Sequence, residues 1–253
     1  MNIFYKEQWL ARLKAAVVSK AIIIICYSMS SSSIAIELLE EDSAGNINQR
    51  NLGSYKSNSF GAVGVSGASI KRIQPLQPYK TLRVDIPVEL HYFETGQARV
   101  ELEGAQQDID KINFRYNGNR LTIRSNGFTT TAPIKLTLYG NNLQRVFING
   151  AADVELNDIS VNDFSLSVRG AADVRVQGKA RGCKINVQGA SDLDLAQMTC
   201  QAVSLAMQGS ADITLFAAKS LKGQVQGAGN VEVFGKPNQR KLQALGAYDV
   251  EYR

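Results

Sequence analysis

From Val146 to Tyr252 apolar residues fall on alternate positions, and the alternation is punctuated by a glycine at Gly150, Gly170, Gly189, Gly209, Gly227 and Gly246. Each glycine opens the same phrase: two mostly small residues, an Asp or Asn, then apolar, variable, apolar. The copies read GAADVEL, GAADVRV, GASDLDL, GSADITL, GAGNVEV and GAYDVEY, at intervals of 20, 19, 20, 18 and 19 residues. Period two marks strand. The apolar pair after the acid position runs from Val154 and Leu156 to Val250 and Tyr252, and another pair stands four and two residues before each glycine, from Val146 and Ile148 to Leu242 and Ala244. A helix would need apolar spacings of three and four, and would lose roughly 1 kcal/mol at each glycine. One such unit cannot bury its own apolar face, whereas a pile of them can. The pattern predicts an all-β, single-domain parallel β-solenoid of about 19–20 residues per coil, with each glycine at a corner between two strands.

Upstream, the pattern is strand-like without the repeat. TLRVDIPVELHYF, INFRYNGNRLTIR and PIKLTLYGNN alternate, and Asn117-Gly118-Asn119 is a strong hairpin signal. These segments are expected to cap the N-terminal end of the stack within a domain spanning 66–253. Residues 36–65 are rich in Ser, Asn and Gly and read as a flexible linker or loose strand. Residues 1–35 read as a signal peptide cleaved near Ala35: four basic residues precede the short apolar run AIIIICY, and small residues follow it. The alternative is an uncleaved anchor drawn from Leu10–Leu39; the uninterrupted apolar run alone is shorter than the ~20 residues of a spanning helix.

The leader changes the charge picture. The whole chain carries +5, but removing 1–35 leaves 24 basic against 22 acidic side chains, or +2. No basic run interleaved with aromatics remains, which argues against nucleic acid as a partner. The only Trp, Trp9, lies in the leader, so a sugar-stacking platform would have to use Tyr or Phe. Cys183 and Cys200 are compatible with one disulfide in an oxidising compartment. Measured to the next glycine their registers differ by three residues, which leaves open whether their Cα atoms come within about 7 Å.

Three columns carry the candidate chemistry. Asn149, Arg169, Gln188, Gln208, Gln226 and Leu245 precede the glycines, and stacked amides about 4.8 Å apart can form a hydrogen-bonded ladder. Glu155, Arg175 and Asp194 alternate in sign and are expected to pair across neighbouring strands. Asp153, Asp173, Asp192, Asp212, Asn230 and Asp249 form an acid column, whose members are expected to accept backbone N–H groups in their corner turns. The competing reading of that column is a row of Ca²⁺ sites, but the calcium-binding solenoid signature offers two acid-bearing turns per coil and this phrase offers one. No cofactor or metal is assigned on this reading. Enzyme signatures are weak: His91 is the only histidine, it sits in a strand-like segment, and no nucleophile signature surrounds it. Polysaccharide-cutting β-helices would offer a precedent for Arg169, Arg175, Lys179 and Arg181 beside Asp173. A solvated face with scattered salt bridges is the simpler reading.

The order VELHYFETGQARVELEGAQQDIDKINFRYNGNRLTIR, then PIKLTLYGNNLQRVFINGAADVEL, then repeated GAADV-type phrases resembles the bacterial head GIN domain family, described as autotransporter adhesin heads. The resemblance covers residues 66–252. It implies a secreted or envelope-associated β-solenoid without established catalytic activity, and it supplies no site residues. The expected function is an exported, non-enzymatic surface-binding or adhesin-like module of a bacterial envelope, whose ligand is a surface protein or glycan. The alternatives are a periplasmic or extracellular carbohydrate-active or carbohydrate-binding protein, and a structural envelope spacer. Tyr248 stands where the other phrases carry Ala, Ser or Gly, and is expected to cap the open end of the stack or to mark a docking edge, including one for a second copy.

Overall fold

The computed structural model describes residues 23–30, 33–41, 47–56, 69–127 and 134–253. They divide into two units, Met1–Gly64 and Val65–Arg253. In the first, β1 (Ile23–Ser30), β2 (Ser33–Glu41) and β3 (Ile47–Lys56) form an antiparallel sheet in sequence order. Strands therefore stand where the leader's apolar run and most of the linker are expected. The β-branched run Ile23–Ile25 and the apolar residues of SIAIELLEE favour paired strand over loose coil. The leader's basic residues, 1–22, lie outside the described residues.

The second unit is almost entirely β. Its elements are β4 (Ser69–Pro75), β5 (Thr81–Val84), β6 (Val88–Glu94), β7 (Arg99–Ala105), a single helical turn α1 (Gln106–Ile109), β8 (Ile112–Asn117), β9 (Arg120–Ser125), β10 (Lys135–Gly140), β11 (Arg145–Phe234) and β12 (Gln239–Tyr252). The sheet is mixed, in the order β4-β7-β10-β6-β11-β5-β9-β8, with β12 also paired to β11. Pairing is parallel around β11, with β5, β6 and β12, and in β6–β10 and β5–β9. It is antiparallel in β4–β7, β7–β10 and β8–β9. The sheet is thus mixed rather than parallel throughout, and the expected hairpin stands in its N-terminal part: Asn117 pairs with Arg120 across Gly118-Asn119, with φ +56° at Gly118.

At about 3.3 Å per residue, a strand of 90 residues cannot run straight within a domain of this size. Instead β11 passes over itself. A Cβ placed on Gly170 would collide with the carbonyl of Gly150; the same holds for Gly189 on Gly170, Gly209 on Gly189, Gly227 on Gly209 and Gly246 on Gly227. The six phrase glycines therefore lie in one file, with φ between +106° and +130°. The last pass is in continuous parallel register, Ser220 with Gln239 through Val233 with Tyr252. The alternating apolar positions fill the interior, from Val146, Ile148, Val154 and Leu156 to Val225, Val231 and Val233, all nearly inaccessible. Cys183 and Cys200 are buried and joined by a disulfide, with Cα atoms 5.9 Å apart.

Candidate functional site

Strand register places charged residues of separate segments on one outward face. β6 pairs with β11 so that Glu89 stands beside Asp153 and His91 beside Glu155. β10 adds Lys135 beside Glu89 and Thr137 beside His91; β7 and β4 then add Glu103 and Lys71. The acid column of the repeat is thereby prolonged into the non-repeating segment. A shallow recess on this face is lined by seven carboxylates (Glu89, Asp153, Glu155, Asp173, Asp192, Asp194, Asp212) together with His91, Arg175 and Thr214.

His91 is the junction. Its ring nitrogens lie 2.8 Å from Glu89 and 3.0 Å from Glu155, and Lys135 Nζ donates to the same Glu89 oxygen at 2.8 Å. Hydrogen bonds from His91 and then Lys135 hold the Glu89 carboxyl below its ordinary range. Arg175 continues the file, 3.6 Å from Glu155 and 3.7 Å from Asp194, as the alternating signs predict. His91 is thus held between two carboxylates, and no serine or cysteine accompanies it in the recess.

The acid column behaves differently from expectation. Asp153, Asp173 and Asp192 are exposed and make no hydrogen bond or ion pair among the described residues. Asp212 accepts from the backbone N–H of Asn230 at 2.9 Å and from its Nδ2 at 3.0 Å, across passes rather than within its own turn. The segment after each glycine continues as strand, which turns the Asp side chain outward and away from its own backbone N–H groups. Nor do the glutamines form a ladder: Gln188, Gln208 and Gln226 are exposed without side-chain partners, while Asn149 donates to Asp85. Among the described residues no three His, Cys, Asp or Glu groups converge on a point where a metal could sit.

Several polar features escape the sequence pattern. Asp85 gathers Arg83, Arg124 and Asn149 from three strands. Burial pulls its carboxyl upward, but the three donors outweigh that and hold it below the usual range. Ser191, buried where three other phrases have Ala, accepts from Ala172 N–H and donates to the Gly170 carbonyl. The outward aromatic Tyr139 stacks on Phe93 and is covered by Arg99, whose guanidinium lies 3.6 Å from the ring centre. Tyr248 pairs in register with Gly229, and its hydroxyl donates to the Gly209 carbonyl at 3.0 Å. Its ring therefore lies back along the preceding passes.

Fold and face together define a nearly all-β domain built on a mixed sheet, with a charged outward face. The chain belongs to the head GIN domain family: the family model described as "Putative auto-transporter adhesin, head GIN domain" matches residues 78–237. No curated protein matches it. Among solved structures, a putative adhesin from Bacteroides fragilis NCTC 9343 is 17% identical with a TM-score of 0.62, covering 74% of this chain and 97% of its own. A putative adhesin from Parabacteroides merdae ATCC 43184 is 13% identical (TM-score 0.46), covering 73% of this chain and 97% of its own. A putative lipid binding protein from Parabacteroides distasonis ATCC 8503 is 11% identical (TM-score 0.44), with the same two coverages. The first of these likenesses shows the fold alone; the other two are too distant to argue from.

Proposed function

We propose that the protein is an exported, non-enzymatic, adhesin-like binding module of a bacterial envelope, built as a β-solenoid whose lateral charged face meets its ligand. The carrying observation is the exposed Asp153, Asp173 and Asp192 file, left without partners beside the ion-paired file of Glu155, Arg175 and Asp194. Carboxylates spaced one strand apart repel one another. A cationic or hydroxyl-rich ligand laid along the file relieves that repulsion and gains charge-assisted hydrogen bonds. A β-solenoid is supported by the glycine file and by the parallel register of the last pass. Export is supported by family membership and by the disulfide, which belongs to an oxidising compartment. Among the described residues no helix is long and apolar enough to cross a membrane. Binding of the labelled protein to bacterial and host cell surfaces and to a glycan array tests the proposal, beside Asp173→Lys/Asp192→Lys and a parallel assay for unsaturated sugar products. Loss of binding in the variant without loss of fold is expected. Product release, or equal binding by both proteins, overturns it.

A further inference from the structure

β12 pairs with β11 along one edge only; its other edge carries no strand among the described residues. The core is left open there. Val225, Val231 and Val233 are buried beneath β12, whereas the corresponding β12 residues Ala244, Val250 and Tyr252 are half-buried or exposed, and Leu245 is 50% exposed. Charge along this edge is unequal on its two flanks. Arg240 and Lys241 precede Gly246, where φ is +109°, while Asp249, Glu251 and Arg253 follow it, with Arg253 donating to Glu251 at 3.1 Å. Lys241 and Asp249 have no partner among the described residues.

We propose that this edge joins a second copy of the chain end to end, about a twofold axis through Gly246. A basic half followed by a half of net negative charge is self-complementary under a twofold, which reverses strand direction and sets each half against the other, with Lys241 joining Arg253 on Glu251. An axis through the turn maps both flanks of the bent strand onto one another at once. Gly246 then faces its copy, Lys241 faces Glu251, Leu242 faces Val250, and Ala244 faces Tyr248. Inward positions meet inward positions, so both open cores close together, and with each Tyr248 ring laid back on its own passes the small Ala244 leaves no clash at that pair. The opposite end of the sheet terminates in β4 and β8, each paired antiparallel, and does not repeat the phrase. Head-to-tail continuation therefore lacks a matching surface. Pairing also removes an unprotected edge that would otherwise invite indiscriminate strand addition.

Light scattering on the full-length protein across a concentration series tests this. Wild type is expected to be a dimer that weakens with salt. Lys241→Glu and Glu251→Lys each place like charges opposite one another at two symmetry-related sites, and are expected to raise the dimer dissociation constant on the order of tenfold or more. The double variant Lys241→Glu/Glu251→Lys restores the charge match and is expected to recover the dimer, with circular dichroism melts confirming that all four proteins fold. A wild-type monomer at every concentration overturns the proposal, whatever else covers the edge. So does a dimer indifferent to both single reversals, or a double variant no better than the singles.

Discussion

The glycine file distinguishes backbone strain from crowding, because two of its members share a similar dihedral and differ in surroundings. Gly150 has φ +106° and open space where a Cβ would sit; Gly189 has φ +130° and the Gly170 carbonyl there. Gly150→Ala is expected to cost about 1 kcal/mol for the unfavourable φ, and Gly189→Ala about 2–4 kcal/mol, since a neighbouring pass must also give way. Urea unfolding of the two variants reads the difference; equal losses would show that φ alone fixes glycine at these positions. Asp85 carries a pH signature. Its folded-state pKa is depressed, so its contribution is present above the ordinary carboxylate pKa and is lost as pH falls through the folded value. Asp85→Asn is expected to cost about 1–2 kcal/mol at pH 7 and to approach wild type as pH falls below the ordinary carboxylate range. A constant difference between the two proteins across that range would refute the assignment. Arg83 lies two residues from Asp85, but Arg124 and Asn149 come from distant strands, which is why composition and spacing could not reveal the cluster.

At the scale of elements, the disulfide is the one covalent link across β11. It closes a loop with a sequence separation of 17, for which the chain-entropy model gives about 3 kcal/mol. Denaturation with and without reductant, beside Cys183→Ala/Cys200→Ala, is expected to show a loss of that order; no loss would mean that the surrounding passes already confine the reduced chain. Distance from the next glycine was a poor guide to this pairing, because the phrase is regular near its glycine and varies in length elsewhere, with 20 residues from Gly189 to Gly209 and 18 from there to Gly227. Strand type and inward residues were legible because period two directly encodes side-chain alternation. Hydrogen bonds in the acid and glutamine columns were not legible. They depend on where exposed side chains point, and no burial pattern records that.

For the molecule as a whole, the repeat foretold strand and its inward positions over its own half and was silent about the rest. Residues 69–140 form a mixed assembly whose register, not its composition, brings Glu89 and His91 alongside Asp153 and Glu155. Long-range register of this kind leaves no local mark, so the prolonged charged face emerges only from the fold. Tyr248 carries a consequence for the order of assembly. Its ring takes the place left open by Gly229, and its hydroxyl reaches Gly209, 39 residues earlier. The contact cannot form until two earlier passes have been laid down, so Tyr248 acts as a latch that closes only on completed work. A chain emerging N-terminus first would meet this latch only after the passes it closes on, and premature collapse onto unfinished passes would find no seat for the ring.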